Sequence, residues 1–168
     1  MEGRLTRLVR AWLLTGVLDG LFSSALAQFA YGSSASRLFQ GVAATVFGPD
    51  AFGGGGTLAG VGLLMHVGVA LAWSAVFLIA YEMSAPLRRI AASPLGVVKV
   101  AAVYGPLVWV VMSLAVIPTL TGRPTVITVR WWSQFFGHAI FVGLPIVSMI
   151  VRVPGESVRR QTTRHRVR

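Results

Sequence analysis

Residues 57–81 read TLAGVGLLMHVGVALAWSAVFLIAY, twenty-five consecutive positions without a charged side chain. At 1.5 Å per residue such a run exceeds the ~20 residues that cross the hydrocarbon core of a bilayer. Two more uncharged runs cover residues 100–122 and 131–151, and a fourth, residues 11–36, is broken only by Asp19. The chain has 168 residues, 55% of them hydrophobic and 12% charged, with a mean hydropathy of +0.72, so four spans and their tails use nearly its whole length. The reading is an all-α integral membrane four-helix bundle. Its single transmembrane domain takes in residues 1–152, with helices at about 12–31, 57–81, 96–120 and 131–151, and residues 153–168 form an Arg-rich tail predicted to be disordered.

The net charge of +10 follows the loops. Arg4, Arg7 and Arg10 precede the first span, Arg88, Arg89 and Lys99 flank the second connection, and six Arg lie from Arg152 to Arg168, against Arg37, Arg123 and Arg130 on the opposite side. The positive-inside rule then predicts cytoplasmic N- and C-termini, and this distribution argues against a nucleic-acid partner. The tail also suits anionic lipid at the membrane surface. Cysteine is absent, which excludes disulfides, thiolate metal sites and Cys nucleophiles.

Arg4 to Ala27 has some features of a secretory signal: basic residues, an apolar stretch and Ala25-Leu26-Ala27 before Gln28. Asp19 cuts that apolar stretch short, so an uncleaved first helix is the better reading. Between spans one and two, Leu38, Phe39, Val42 and Val46 keep helical spacing over a segment too short to cross, which predicts an interfacial or re-entrant helix. The run Gly53-Gly54-Gly55-Gly56 reads as a flexible turn. It lacks the Lys-Ser/Thr and the preceding strand of a phosphate-binding loop.

Ionisable groups inside spans are costly, so Asp19, His66 and His138 mark the candidate site, with Gln134 and Tyr104 as polar neighbours. Asp19 shares a stripe with Gly16, Gly20, Ser23 and Ala27, and Gly16-x-x-x-Gly20 is a small-residue pattern that favours close helix approach. His66 and His138 fall on inward stripes at matched depth, roughly 10 to 14 Å below the outer surface, and are expected to approach one another. Counted from a helix starting at Trp12, Asp19 falls in the cytoplasmic half, out of reach of either His but near Tyr104. Pro106 and Pro118 predict a kinked third helix.

Gly16 with Leu18-Asp19, Leu38-Phe39-Gln40-Gly41-Val42-Ala43, Ala51-Phe52, Gly62 and His66, Tyr104-Gly105, Trp109, Met112, Pro118, and His138 with Gly143-Leu144-Pro145 together resemble a family of small bacterial four-span membrane proteins. That family is related in layout to the inner-membrane protein YagU. The resemblance runs from about Arg10 to Arg152 and implies the four-helix layout and a bacterial inner-membrane location. It brings no activity, substrate or cofactor.

Three functions fit these residues. Proton- or ion-linked permeation would use Asp19 as a proton or cation site and the His pair as titrating groups, since imidazole changes charge near neutrality. A non-catalytic accessory or structural subunit, including a homo-oligomer, would use the same groups as interhelical hydrogen bonds. Haem held between His66 and His138 is the third. An enzyme is the poorest reading: no third zinc ligand lies at His depth and no Ser or Thr has a His–carboxylate relay.

Overall fold

The computed structural model describes residues 3–151. The tail assigned to residues 153–168, with its predicted disorder and lipid contacts, lies outside them. The helices are α1 (Arg4–Ala30), α2 (Ala35–Phe47), α3 (Gly55–Met83), α4 (Ala85–Ala91), α5 (Gly96–Thr121) and α6 (Val129–Ile150). No strand occurs among the described residues, and α1, α3, α5 and α6 are each long and apolar enough to cross a membrane. This is an all-α, multi-pass membrane protein. Each span turns bulky apolar residues outward, among them Leu21, Leu64, Val103 and Phe136, all exposed where a lipid acyl chain would lie.

Successive spans run antiparallel. Arg7, near the start of α1, donates to Glu82 Oε1 at the end of α3 (2.7 Å) and to the Ile150 carbonyl at the end of α6 (2.7 Å). This defines a terminal end of the bundle, while α2 and the connections after α1 and α5 make up the loop end. The two halves differ. Toward the terminal end Phe77, Tyr104, Ile146, Val147 and Ile150 form a dry core. Toward the loop end the spans diverge around a cavity.

Helix α1 starts eight residues before the expected Trp12, because Arg4, Arg7 and Arg10 extend the helix instead of preceding it. Arg4 is exposed and Arg7 is buried, so one turn of helix holds both a solvent-facing and an inward charge. The other three spans begin and end within two residues of expectation. Helix α2 is capped by the Ser34 side chain, which accepts from the Arg37 amide at 3.2 Å, and ends at Gly48, whose φ of 77° favours glycine. It packs along α3, and Gln40 Nε2 donates to the Gly55 carbonyl at 2.9 Å. Gly55 and Gly56, expected in a turn, form the first turn of α3.

Proline shapes α5 and α6, though not where Pro106 suggested. Pro106 sits inside a regular α-helical stretch, Gly96–Val111, whereas Met112–Val116 widens into a π-turn just before Pro118. In that register the Ile117 amide donates to the Met112 carbonyl, and the next amide, which would serve Ser113, is missing because residue 118 is proline. The Thr125 hydroxyl donates to the Ser113 carbonyl instead. Ala139–Gly143 repeats the π-turn before Pro145 in α6.

The tight helix crossings use glycines other than the expected pair. A Cβ on Gly105 would overlap the His138 carbonyl, one on Gly143 the Ala101 carbonyl, and one on Gly62 the Phe39 carbonyl. At Gly16 a Cβ would meet Ala70 at an ordinary 3.8 Å. Gly105→Ala is therefore expected to lower stability by ~1–3 kcal/mol, the usual cost of overpacking, while Gly16→Ala stays near neutral. Thermal unfolding of both variants in one detergent checks this; equal melting temperatures would contradict it.

Candidate functional site

A cavity of about 730 Å³ occupies the loop half of the bundle. Its lining includes Asp19, His66, Gln134 and His138, so the structure gathers four of the five candidate residues at one site. Exposed residues in the lining, such as Arg37, Leu120, Val126 and Arg130, all belong to the loop end. The cavity therefore opens at that end and is closed at the other by the dry core.

Asp19 and His66 face one another across α1 and α3, with Asp19 Oδ2 3.9 Å from His66 Nδ1. The expectation that Asp19 lies beyond reach of either His is corrected here. With α1 beginning at Arg4, Asp19 is eleven residues from Ala30, and His66 is eleven from Gly55, so both lie on the order of 16 Å below the loop end. Gly20 makes room for the ring, since a Cβ there would stand 3.4 Å from His66 Nε2.

The hydrogen bonds fix the chemistry of the pair. His66 Nε2 lies 3.1 Å from the Gly16 carbonyl, an acceptor only, so Nε2 carries a proton and Nδ1 is the atom turned toward Asp19. A neutral imidazole would turn its Nδ1 lone pair toward an ionised Asp19, which is unfavourable. One proton held by the pair, on Nδ1 or on the carboxyl, removes that repulsion. The separation is too long for a direct hydrogen bond and suits a single bridging water.

His138 presents its ring differently. Its Nδ1 lies 2.8 Å from the Gln134 carbonyl of its own helix and so carries the proton, leaving Nε2 as the basic atom, and the ring packs 4.9 Å from that of Trp109. His66 packs edge-on to Phe39 at 5.8 Å. Both rings line one cavity, and no hydrogen bond joins them among the described residues. One nitrogen of His66 meets a carbonyl and the other faces the Asp19 carboxylate. No group of three or more His, Asp or Glu suited to a metal occurs among the described residues.

Tyr104 stands outside the cavity. Its hydroxyl donates to the Trp73 carbonyl at 2.6 Å and its ring packs on Phe77 at 4.8 Å, bridging α5 to α3 in the terminal half instead of reaching Asp19. Gln134 Nε2 donates to Ser23 Oγ at 3.3 Å. Its Oε1 is buried without a partner, as are Asp19 Oδ1, Thr15 Oγ1 and Trp109 Nε1. All four atoms belong to residues lining the cavity. Buried polar atoms are normally satisfied, so four unpartnered ones, each itself covered by protein, set the walls of this cavity apart from the rest of the bundle.

Thr15, Trp109, Arg37 and Arg130 were missed as site residues. Thr15 lies four positions before Asp19 on the same stripe, a legible signal; in the sequence the two Arg read only as loop charges. A comparison with protein-family models, curated proteins and solved structures finds no match to this chain. No family is therefore shown for this chain.

Proposed function

We propose that this is a proton-linked permeation protein of a bacterial inner membrane, in which Asp19 and His66 together bind the coupling proton. The observation that carries the reading is the Asp19–His66 pair, set about mid-span and facing a cavity whose exposed lining residues lie at the loop end. A purely structural pair would be packed and satisfied, whereas here Asp19 Oδ1 has no partner. The excess of basic residues at the terminal end supports placing both termini in the cytoplasm, so that the cavity faces outward.

The dry core and the Arg7–Glu82 contact then form the inner barrier, and passage requires the terminal half to open while the loop half closes, a motion of the kind that transporters built from broken helices perform. The π-turns before Pro118 and Pro145 supply weak points in α5 and α6 for it. Purified protein in vesicles with an internal pH dye and potassium–valinomycin charge compensation is expected to dissipate an imposed pH gradient faster than protein-free vesicles. Identical rates would defeat the proposal and leave an accessory role.

A further inference from the structure

We infer that the cavity binds an amphipathic organic monoanion, whose acidic group sits at Arg37 and Arg130 and whose apolar body lies between the tryptophans below them. Two of the three Arg at the loop end line the cavity, one from α2 and one from α6. Each guanidinium is steadied on an aromatic face, Arg37 4.9 Å from the centre of Phe52 and Arg130 5.0 Å from that of Tyr31. That contact leaves the N–H edges available, and neither Arg is paired with a carboxylate among the described residues.

Among the described residues Asp19 is the only carboxylate in the lining, and it faces His66. Two Arg against one carboxylate leave the lining net positive, which favours an anion and repels a cation. The walls beneath are apolar, with Trp73, Met112 and Val116 on the α3 and α5 sides. An inorganic anion would leave these walls uncovered, and a neutral apolar molecule would leave both guanidinium groups unused. A volume of about 730 Å³ suits a small organic molecule.

This inference deepens the permeation reading by naming the class of ligand, but binding is measurable without flux. Trp73, Trp109 and Trp131 line the cavity, so a heavy-atom quencher reports occupancy directly. The probe is 4-iodobenzoate, added to protein in phosphatidylcholine nanodiscs. Saturable quenching is expected, with Kd raised roughly tenfold or more in the Arg37→Gln/Arg130→Gln double variant and unchanged in Arg123→Gln. The neutral analogue 4-iodobenzyl alcohol is expected to bind far more weakly.

Discs containing phosphatidylglycerol separate the sources of the anion. Unchanged iodobenzoate affinity makes the ligand a soluble acid, and competition assigns the same site to an anionic lipid headgroup. Non-saturable quenching, or equal affinity for acid and alcohol, overturns the inference. Saturable binding by a protein that passes no protons sinks the permeation reading alone, and proton flux without binding sinks this one alone.

Discussion

Replacing Asp19 with Asn is expected to reduce proton flux through reconstituted vesicles to that of protein-free vesicles while leaving insertion and folding intact. The amide has the size of the carboxyl group and carries no charge, so the packing of α1 on α3 survives. What it cannot do is accept the proton that the pair shares. Little folding energy is at stake, because Asp19 Oδ1 has no hydrogen-bond partner to lose. His66→Gln is expected to have the same effect on flux, since it removes the other atom between which the proton moves. Equal flux in wild type and Asp19→Asn would show that the carboxylate is dispensable.

The second large effect is on stability and lies at the opposite end of the bundle. Arg7 is 3% exposed and Glu82 is 30% exposed at the side chain, and Arg4, at 73%, contacts the second oxygen of Glu82 at 3.2 Å. Glu82→Gln leaves the Arg7 guanidinium buried with only the Ile150 carbonyl and an amide oxygen. Breaking a buried pair from one side costs ~3–5 kcal/mol, and the partial exposure of Glu82 places the expected loss near the lower figure. Arg7→Met should cost less, because the remaining Glu82 keeps Arg4 and reaches water. Arg4→Gln should cost less than ~1 kcal/mol, as exposed pairs do. Unfolding of the three variants in mixed micelles is expected to rank them Glu82→Gln, Arg7→Met, Arg4→Gln from least to most stable. Glu82→Gln at wild-type stability would mean that Arg7 finds its compensation elsewhere.

Much of this architecture is legible in the sequence because membrane crossing depends on a long, simple signal. The expected spans match α3, α5 and α6 within two residues, and helical stripes turn Asp19, His66 and His138 inward. The start of α1 is not legible, because three Arg before an apolar run look the same whether they flank a helix or belong to its first turns. That single error shifts Asp19 by ~12 Å along the membrane normal at 1.5 Å per residue, enough to hide its pairing with His66. Glu82 offered a correction: an acid at the end of one span and a buried base at the start of another belong to the same level.

Glycine contacts show the same limit. Gly16-x-x-x-Gly20 stands out as a pattern, yet Gly62, Gly105 and Gly143 make the closest crossings, since which glycine meets a neighbouring backbone depends on the crossing point and not on spacing within one helix. Pro145 carried the same signal as Pro118 and widens its helix in the same way. Tyr104 could not be placed from sequence because its partner, the Trp73 carbonyl, is a backbone atom that no residue pattern marks.

Whether water reaches the Asp19–His66 level from one side of the membrane is the test on which the account turns. The chain has no native cysteine, so single cysteines at Val69 and Met112, which line opposite walls of the cavity, can be probed without background. Thiols react as thiolates in water and hardly at all in lipid, and Leu64→Cys, 73% exposed on the outer face of α3, serves as the lipid-facing control. A membrane-impermeant thiol reagent is expected to label Val69→Cys and Met112→Cys when added from the loop side, to label neither from the terminal side, and to leave Leu64→Cys unmodified from both. Failure to label either wall from the loop side would mean a dry bundle and would contradict the account.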